Sequence, residues 1–227
     1  MTRVTDQPGI IVHTRPYRES SVLLSLLTLD HGLITLVGRG VRGGRRGRSL
    51  QPFTELRLGW SGRSSLGTLA GFEVVKQHWF QGNALASAFY LTELINRLLD
   101  EREPHPRLFA GLRWALEEMD QGPAFVLRSF EKLLPEELGY GLDFERDIDS
   151  QPLKADQTYR LVPDQGFAPS SQTSEQGVDG ALLIRIGREE FSDPEVRRVA
   201  RRVFAESLAR HLGPKPLLSR QLLVGQG

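Results

Sequence analysis

Before about residue 80 apolar residues fall in short strand-length runs, one with a clear period of two, and after it they recur with a helical period. A chain written this way folds strands first and helices second, which points to an α+β layout in more than one domain. Five segments read as strands: 9–14, 20–29, 33–37, 51–60 and 66–75; the second is apolar on both faces and its composition also suits a helix, but the turn at 30–32 and the strand-like 33–37 favour a hairpin. The fourth is the clearest, with Leu56, Leu58 and Trp60 alternating with Arg57 and Gly59. Residues 15–19 read as a turn, because Pro16 brings no ladder donor. Asp30-His31-Gly32 and the stretch 61–65 (SGRSS) are compact turns. A long basic loop covers 38–49. Five strands joined by short turns and one long loop suit a small barrel. The five-stranded OB barrel is one such fold and commonly binds single-stranded nucleic acid. An SH3-like barrel is the rival that a strand count alone does not separate.

After residue 80 the spacing predicts helices over 83–102, 107–119, 124–138, 178–188 and onward from Ser192. Pro104 and Pro106 stop the first, and Gly139 suits a left-handed cap on the third. Ser192-Asp193-Pro194-Glu195 fits a capping box with proline in the first turn. Residues 143–176 form an irregular insertion, in which 158–162 and 166–168 can pair as short strands. The expected organisation is a barrel domain over 1–80 and a mainly helical domain over 81–227.

Charge follows the same division. The whole chain of 227 residues carries a net +1, but residues 1–80 hold eleven basic against five acidic side chains, a net of +6, which leaves −5 for the rest. Asymmetry of this kind points to two domains with different partners. The basic residues are 25 arginines and 4 lysines, and arginine presents a planar fork that matches phosphate oxygens. High genomic G+C content enriches arginine as well. There is no cysteine, which excludes disulfides, thiolate nucleophiles and cysteine-based zinc sites and suits a reducing compartment. The first residues lack the apolar core of a signal peptide, and no apolar run reaches the ~20 residues of a membrane span.

Gly38-Arg39-Gly40-Val41-Arg42-Gly43 satisfies the dinucleotide pattern G-x-G-x-x-G after a strand. More glycines and Pro52 follow where a helix should open, so the context fails. The loop reads instead as an electropositive track. Arg39, Arg42, Arg45, Arg46 and Arg48 fall within ten residues with no acid among them, and such a run can follow a phosphate backbone. Arg15, Arg18 and Arg63 extend the basic set. Tyr17, between Arg15 and Arg18, is the candidate for base stacking, whereas Phe53 and Trp60 read as core. No P-loop, no paired histidines and no nucleophile elbow are present, so the sequence offers neither a catalytic constellation nor a metal or cofactor site. On the last helix Arg197, Arg198, Arg201 and Arg202 lie opposite the apolar stripe, as a solvated face or a cationic surface.

Several short stretches together resemble the bacterial RecO recombination-mediator family. They are 9–19 (GIIVHTRPYRE), Leu27-Thr28, 30–32 (DHG), 38–42 (GRGVR) and 50–53 (LQPF). In the second part they are 90–94 (YLTEL), 128–131 (RSFE), 138–144 (LGYGLDF) and 215–220 (KPLLSR). The resemblance implies an N-terminal OB domain and a mainly helical C-terminal domain. It also implies binding of single- and double-stranded DNA, annealing of complementary strands, and loading of RecA recombinase onto strands coated by single-strand binding protein. The implied partners are RecR and the acidic C-terminal tail of single-strand binding protein, in the bacterial cytoplasm at the nucleoid. Arg128 matches a basic family position and is implied as a contact for that tail, with Arg197 and Arg201 as weaker candidates. Some members carry a four-cysteine zinc site; this chain has no cysteine, and a zinc-free form is expected.

The leading expectation is a non-enzymatic DNA-binding protein. An enzyme acting on nucleic acid or nucleotide through loop 38–49 is the alternative. A scaffold whose acidic second domain does the binding is the third.

Overall fold

The structure is a computed structural model that describes residues 2–41, 49–62, 66–170, 177–219 and 222. Five strands come first: β1 (Thr2–Tyr17), β2 (Ser21–Thr28), β3 (Gly32–Gly38), β4 (Thr54–Gly62) and β5 (Leu66–Gln77). They close in the order β1-β2-β3-β5-β4, antiparallel throughout except where β3 runs parallel to β5. Ile11, Leu24, Leu26, Ile34, Leu36, Leu56 and Leu58 fill the interior.

β1 is longer at both ends than the apolar pattern of 9–14 predicts. Its first half is polar, and it becomes strand because Thr2 to Ile10 pair with β4. A bulge between Val4 and Gln7, with Asp6 at φ +56°, absorbs the irregularity. At the other end the expected turn at 15–19 shrinks to residues 18–20. Pro16 is tolerated in strand because β1 is paired only with β2 there.

Helices α1 (Gly82–Leu98) and α2 (Pro106–Glu118) follow. The helix expected over 83–102 ends at Leu98, since the next residues are drawn to the sheet. Glu101 bridges Leu33, and Arg102 N–H donates to the Leu33 carbonyl at 2.9 Å. Gly32, at φ +62°, permits this approach, because a Cβ there would run into the Glu103 carbonyl.

By compactness the chain forms two units, Met1–Gln121 with Pro216–Gly227, and Gly122–Lys215. The change from strand to helix falls at 77–82, and the boundary between compact units falls at 121–122. In the first unit Phe53 is buried and meets Phe80 and Phe89 edge-on, so it is core as expected.

The second unit holds α3 (Pro123–Glu137), the small sheet β6 (Thr158–Val162), β7 (Gly166–Ser170) and β8 (Val178–Asp179), then α4 (Gly180–Gly187) and α5 (Pro194–Leu212). Its core is a set of rings, with Phe144 against Phe167 and Phe204, and Phe204 against Phe191. Gly139, at φ +81°, closes α3 as its sequence suggests. Gly139 N–H donates to Glu136 and Tyr140 N–H to Pro135, the paired bonds of a Schellman end. The helix expected from 178 starts at Gly180, because Val178 and Asp179 pair with β6 and the Asp179 carboxylate caps Ala181 N–H at 2.9 Å. Asp193 caps α5 through Glu195 N–H at 2.7 Å. The expected capping box is a simple cap, since Glu195 stands one place too early to return the bond.

Candidate nucleic-acid interface

Strand register brings four chain segments together at one end of the barrel. Tyr17 pairs with Ser21, Val22 with Gly38, and Val37 with Thr68. The residues just beyond these pairs wall a groove of about 690 Å³, lined by Tyr17, Arg18, Glu19, Ser20, Arg39 and Thr68 among others. Arg18 and Arg39 are exposed and Tyr17 is half-buried. The Arg18 guanidinium carbon lies 5.2 Å from the centroid of the Tyr17 ring, within cation–π range. Arg18 holds φ +54°, in the left-handed region that a side chain other than glycine adopts at a cost.

The groove therefore presents two cations, an aromatic face and hydroxyls, with Glu19 the one carboxylate named among them. Cations and hydroxyls are the groups that hold phosphate and sugar, and the ring is a platform for a base. Arg15 is exposed on β1 outside this lining. Burial, helped by the nearby Arg15 charge, holds the His13 imidazole below its ordinary value. Arg42, Arg45, Arg46, Arg48 and Arg63, the remainder of the expected basic set, lie outside the described residues. Of the glycine-rich pattern, Gly40 sits at φ +66° and Val41 joins the barrel core.

The arginines of the second unit are placed differently. Arg128 is 5% exposed, with Nη2 2.8 Å from Glu131 on the next turn of α3. Arg197 donates to the carbonyls of Phe191 at 2.6 Å and Ser192 at 2.8 Å, and Arg202 to that of Gly177 at 2.8 Å. Arg198 lies 3.6 Å from Glu195, and Arg201 is exposed on α5.

Sequence reasoning passed over Ser20 and Thr68 in the groove. Their hydroxyls flank a turn and a strand start 48 positions apart, and only pairing makes them neighbours. It also passed over a buried cluster in the first unit, where the Glu55 carboxylate meets His78 Nε2 and Arg113 Nε, both at 3.1 Å. In the second unit the irregular stretch after 142 is organised by two carboxylates. Asp143 accepts from Glu145 and Arg146 N–H, and Asp147 from Asp149 and Gln151 N–H. Among the described residues no three His, Asp or Glu side chains are grouped to hold a metal, and no helix is long and apolar enough to cross a membrane.

Comparison with known sequences covers nearly the whole chain. The family model described as Recombination protein O N terminal matches residues 1–78, and the one described as Recombination protein O C terminal matches 80–221. The chain is similar to the DNA repair protein RecO of Stutzerimonas stutzeri, at 39% identity over 96% of this chain and 93% of that protein. It is 40% identical to that of Cellvibrio japonicus, over 98% of both chains. It is 35% identical to that of Pseudomonas aeruginosa, over 100% of this chain and 97% of the relative.

Proposed function

This chain belongs to the RecO family of DNA repair proteins, and from that premise we propose that it binds DNA through the groove at the barrel end. The observation that carries the reading is the meeting of Arg18, Arg39 and the Tyr17 ring on one groove. The closed order β1-β2-β3-β5-β4, with β3 parallel to β5, supports assigning the strands to the OB class. We place the DNA-binding role in 1–80 and the partner-binding role in 81–227. The DNA-binding set is Arg15, Tyr17, Arg18 and Arg39 together with Arg42, Arg45, Arg46, Arg48 and Arg63.

Phosphate neutralisation supplies affinity for both single and double strands without choosing a sequence. Screening two repelling strands on one surface lets them anneal, and no nucleotide hydrolysis is required. On this reading the protein is not an enzyme. It hands strands coated by single-strand binding protein to the recombinase, with RecR and the acidic tail of single-strand binding protein as partners. Arg201, exposed on α5, is the accessible one of the proposed tail contacts; Arg197 and Arg128 reach a tail only if their present bonds to Phe191, Ser192 and Glu131 exchange.

Titration of a labelled single strand with the intact protein over a range of salt tests the proposal. Log affinity falls with log salt at about −0.7 per phosphate contact, so replacing Arg42, Arg45 and Arg46 together by glutamine removes about 2 from the slope. A slope and affinity equal to wild type overturn the assignment of the loop. Release of product from labelled DNA or ATP by the pure protein overturns the non-enzymatic reading.

A further inference from the structure

The proposed passage of DNA across the barrel end is the premise for a finer reading of Arg18 and Tyr17. We propose that these two residues form an exchangeable clip. In the free protein the Arg18 guanidinium covers the Tyr17 ring; an unpaired base takes its place on that ring, which makes the groove selective for single strands over duplex.

Three features of the molecule support the clip. First, the ring is held in place. Tyr17 is the last paired residue of β1, opposite Ser21, and its half-buried side chain lines the groove. Second, the group over the ring is flat and cationic and sits 5.2 Å from its centroid. A guanidinium and a nucleobase both stack on an aromatic face, so a site shaped for one accepts the other. Third, the arrangement carries backbone strain. Arg18 holds φ +54°, which side chains other than glycine adopt at a cost and which collects at ligand clamps.

Exchange leaves the charge in the groove. A guanidinium that leaves the ring stays beside Arg39 on the same lining, where the phosphate next to a stacked base runs. A base inside a duplex has both faces covered by its neighbours and cannot take the ring. Duplex DNA therefore meets the arginines alone. When two bound strands pair, their bases withdraw from Tyr17 and Arg18 returns, which favours release of the annealed product over the single strands.

The test uses the intact protein and three labelled ligands: oligothymidylate, an abasic strand of the same length and phosphate count, and a duplex. Tyr17→Leu is expected to weaken oligothymidylate binding about tenfold, the loss of one stacked base, with no change in salt slope. Its binding to the abasic strand and the duplex stays at wild type. Tyr17→Phe keeps wild-type binding, since the ring remains. Arg18→Gln lowers the salt slope on oligothymidylate by about 0.7, one phosphate contact. Equal affinity of the wild-type protein for oligothymidylate and the abasic strand overturns the clip, and this comparison needs no variant to fold. Wild-type behaviour of Tyr17→Leu on all three ligands, or an equal loss on all three, also overturns it while DNA binding stands. Failure of the wild-type protein to bind any of them overturns the DNA reading and the clip with it.

Discussion

Arg18 and Arg39 stand exposed at the barrel groove, whereas Arg128, Arg197 and Arg202 of the second unit bond to groups of their own fold. In sequence Arg18 and Arg39 do not stand apart from Arg197 and Arg202, since each has other arginines within a few residues, and Arg128 is a lone arginine inside a helix. The difference lies in what surrounds them. At the barrel end the two arginines sit in turns beside strand ends, with the Arg18 guanidinium carbon 5.2 Å from the Tyr17 ring centroid. The start of α5 and the loop at 177 present backbone carbonyls, and Arg197 and Arg202 occupy them. Arginine in the sequence therefore does not by itself separate a groove lining from side chains that hold the fold.

The comparison breaks most visibly at Arg128. Its ion pair with Glu131 is almost wholly buried, and removing the guanidinium takes the paired cation from a buried carboxylate. Arg128→Leu is expected to destabilise the second unit by about 3–5 kcal/mol, read as a lower urea midpoint. A variant as stable as wild type shows that Arg128 is held loosely enough to serve a partner. Arg197→Gln removes two bonds from a charged donor to carbonyls, and a loss of about 1–2 kcal/mol is expected in the same denaturation. Arg39→Gln is the opposite case. Stability should stay within about 0.5 kcal/mol, because an exposed side chain away from structural contacts contributes little. The salt slope on single strands should fall by about 0.7. A stability loss without a slope change moves Arg39 into the structural set.

The smallest expected effect sharpens the first unit's own structural use of charge. Burial raises the Glu93 carboxyl, but hydrogen bonds from the Ser219 hydroxyl, the Ser219 and Leu218 N–H groups, and the Arg97 charge bring it below its ordinary value. A lowered pKa means that the anchoring of 218–219 on α1 is complete above the ordinary value of 4.5 and fades as pH falls through the folded value. Hydrogen-exchange protection at Leu218 and Ser219, taken relative to the intrinsic rate at each pH, should fall below about pH 4.5 before that of the barrel core does. Simultaneous loss of protection in both places removes the local role of Glu93.

Much of the fold was legible because it is local. Alternation at Leu56, Leu58 and Trp60 marks a strand, Asp30-His31-Gly32 marks the turn between β2 and β3, and Gly139 marks a helix end, each within a few residues. The misreadings came from long-range pairing. The polar half of β1 is strand because β4 lies beside it, and α1 stops early because Glu101 and Arg102 are bonded to Leu33. For the site, the sequence pointed to Tyr17, Arg18 and Arg39 but not to their meeting, nor to Ser20 and Thr68.

By itself the sequence determined the strand-to-helix order, the opposite charges of the two parts and the family. These depend on composition and short-range pattern, which a chain carries before it folds. Tertiary structure decided which arginines face a groove and which hold the fold. That choice depends on register and burial: Val37 beside Thr68, Tyr17 beside Ser21, and Arg128 shut in with Glu131. A guanidinium is drawn to whichever acceptor lies within reach, and only folding sets that reach.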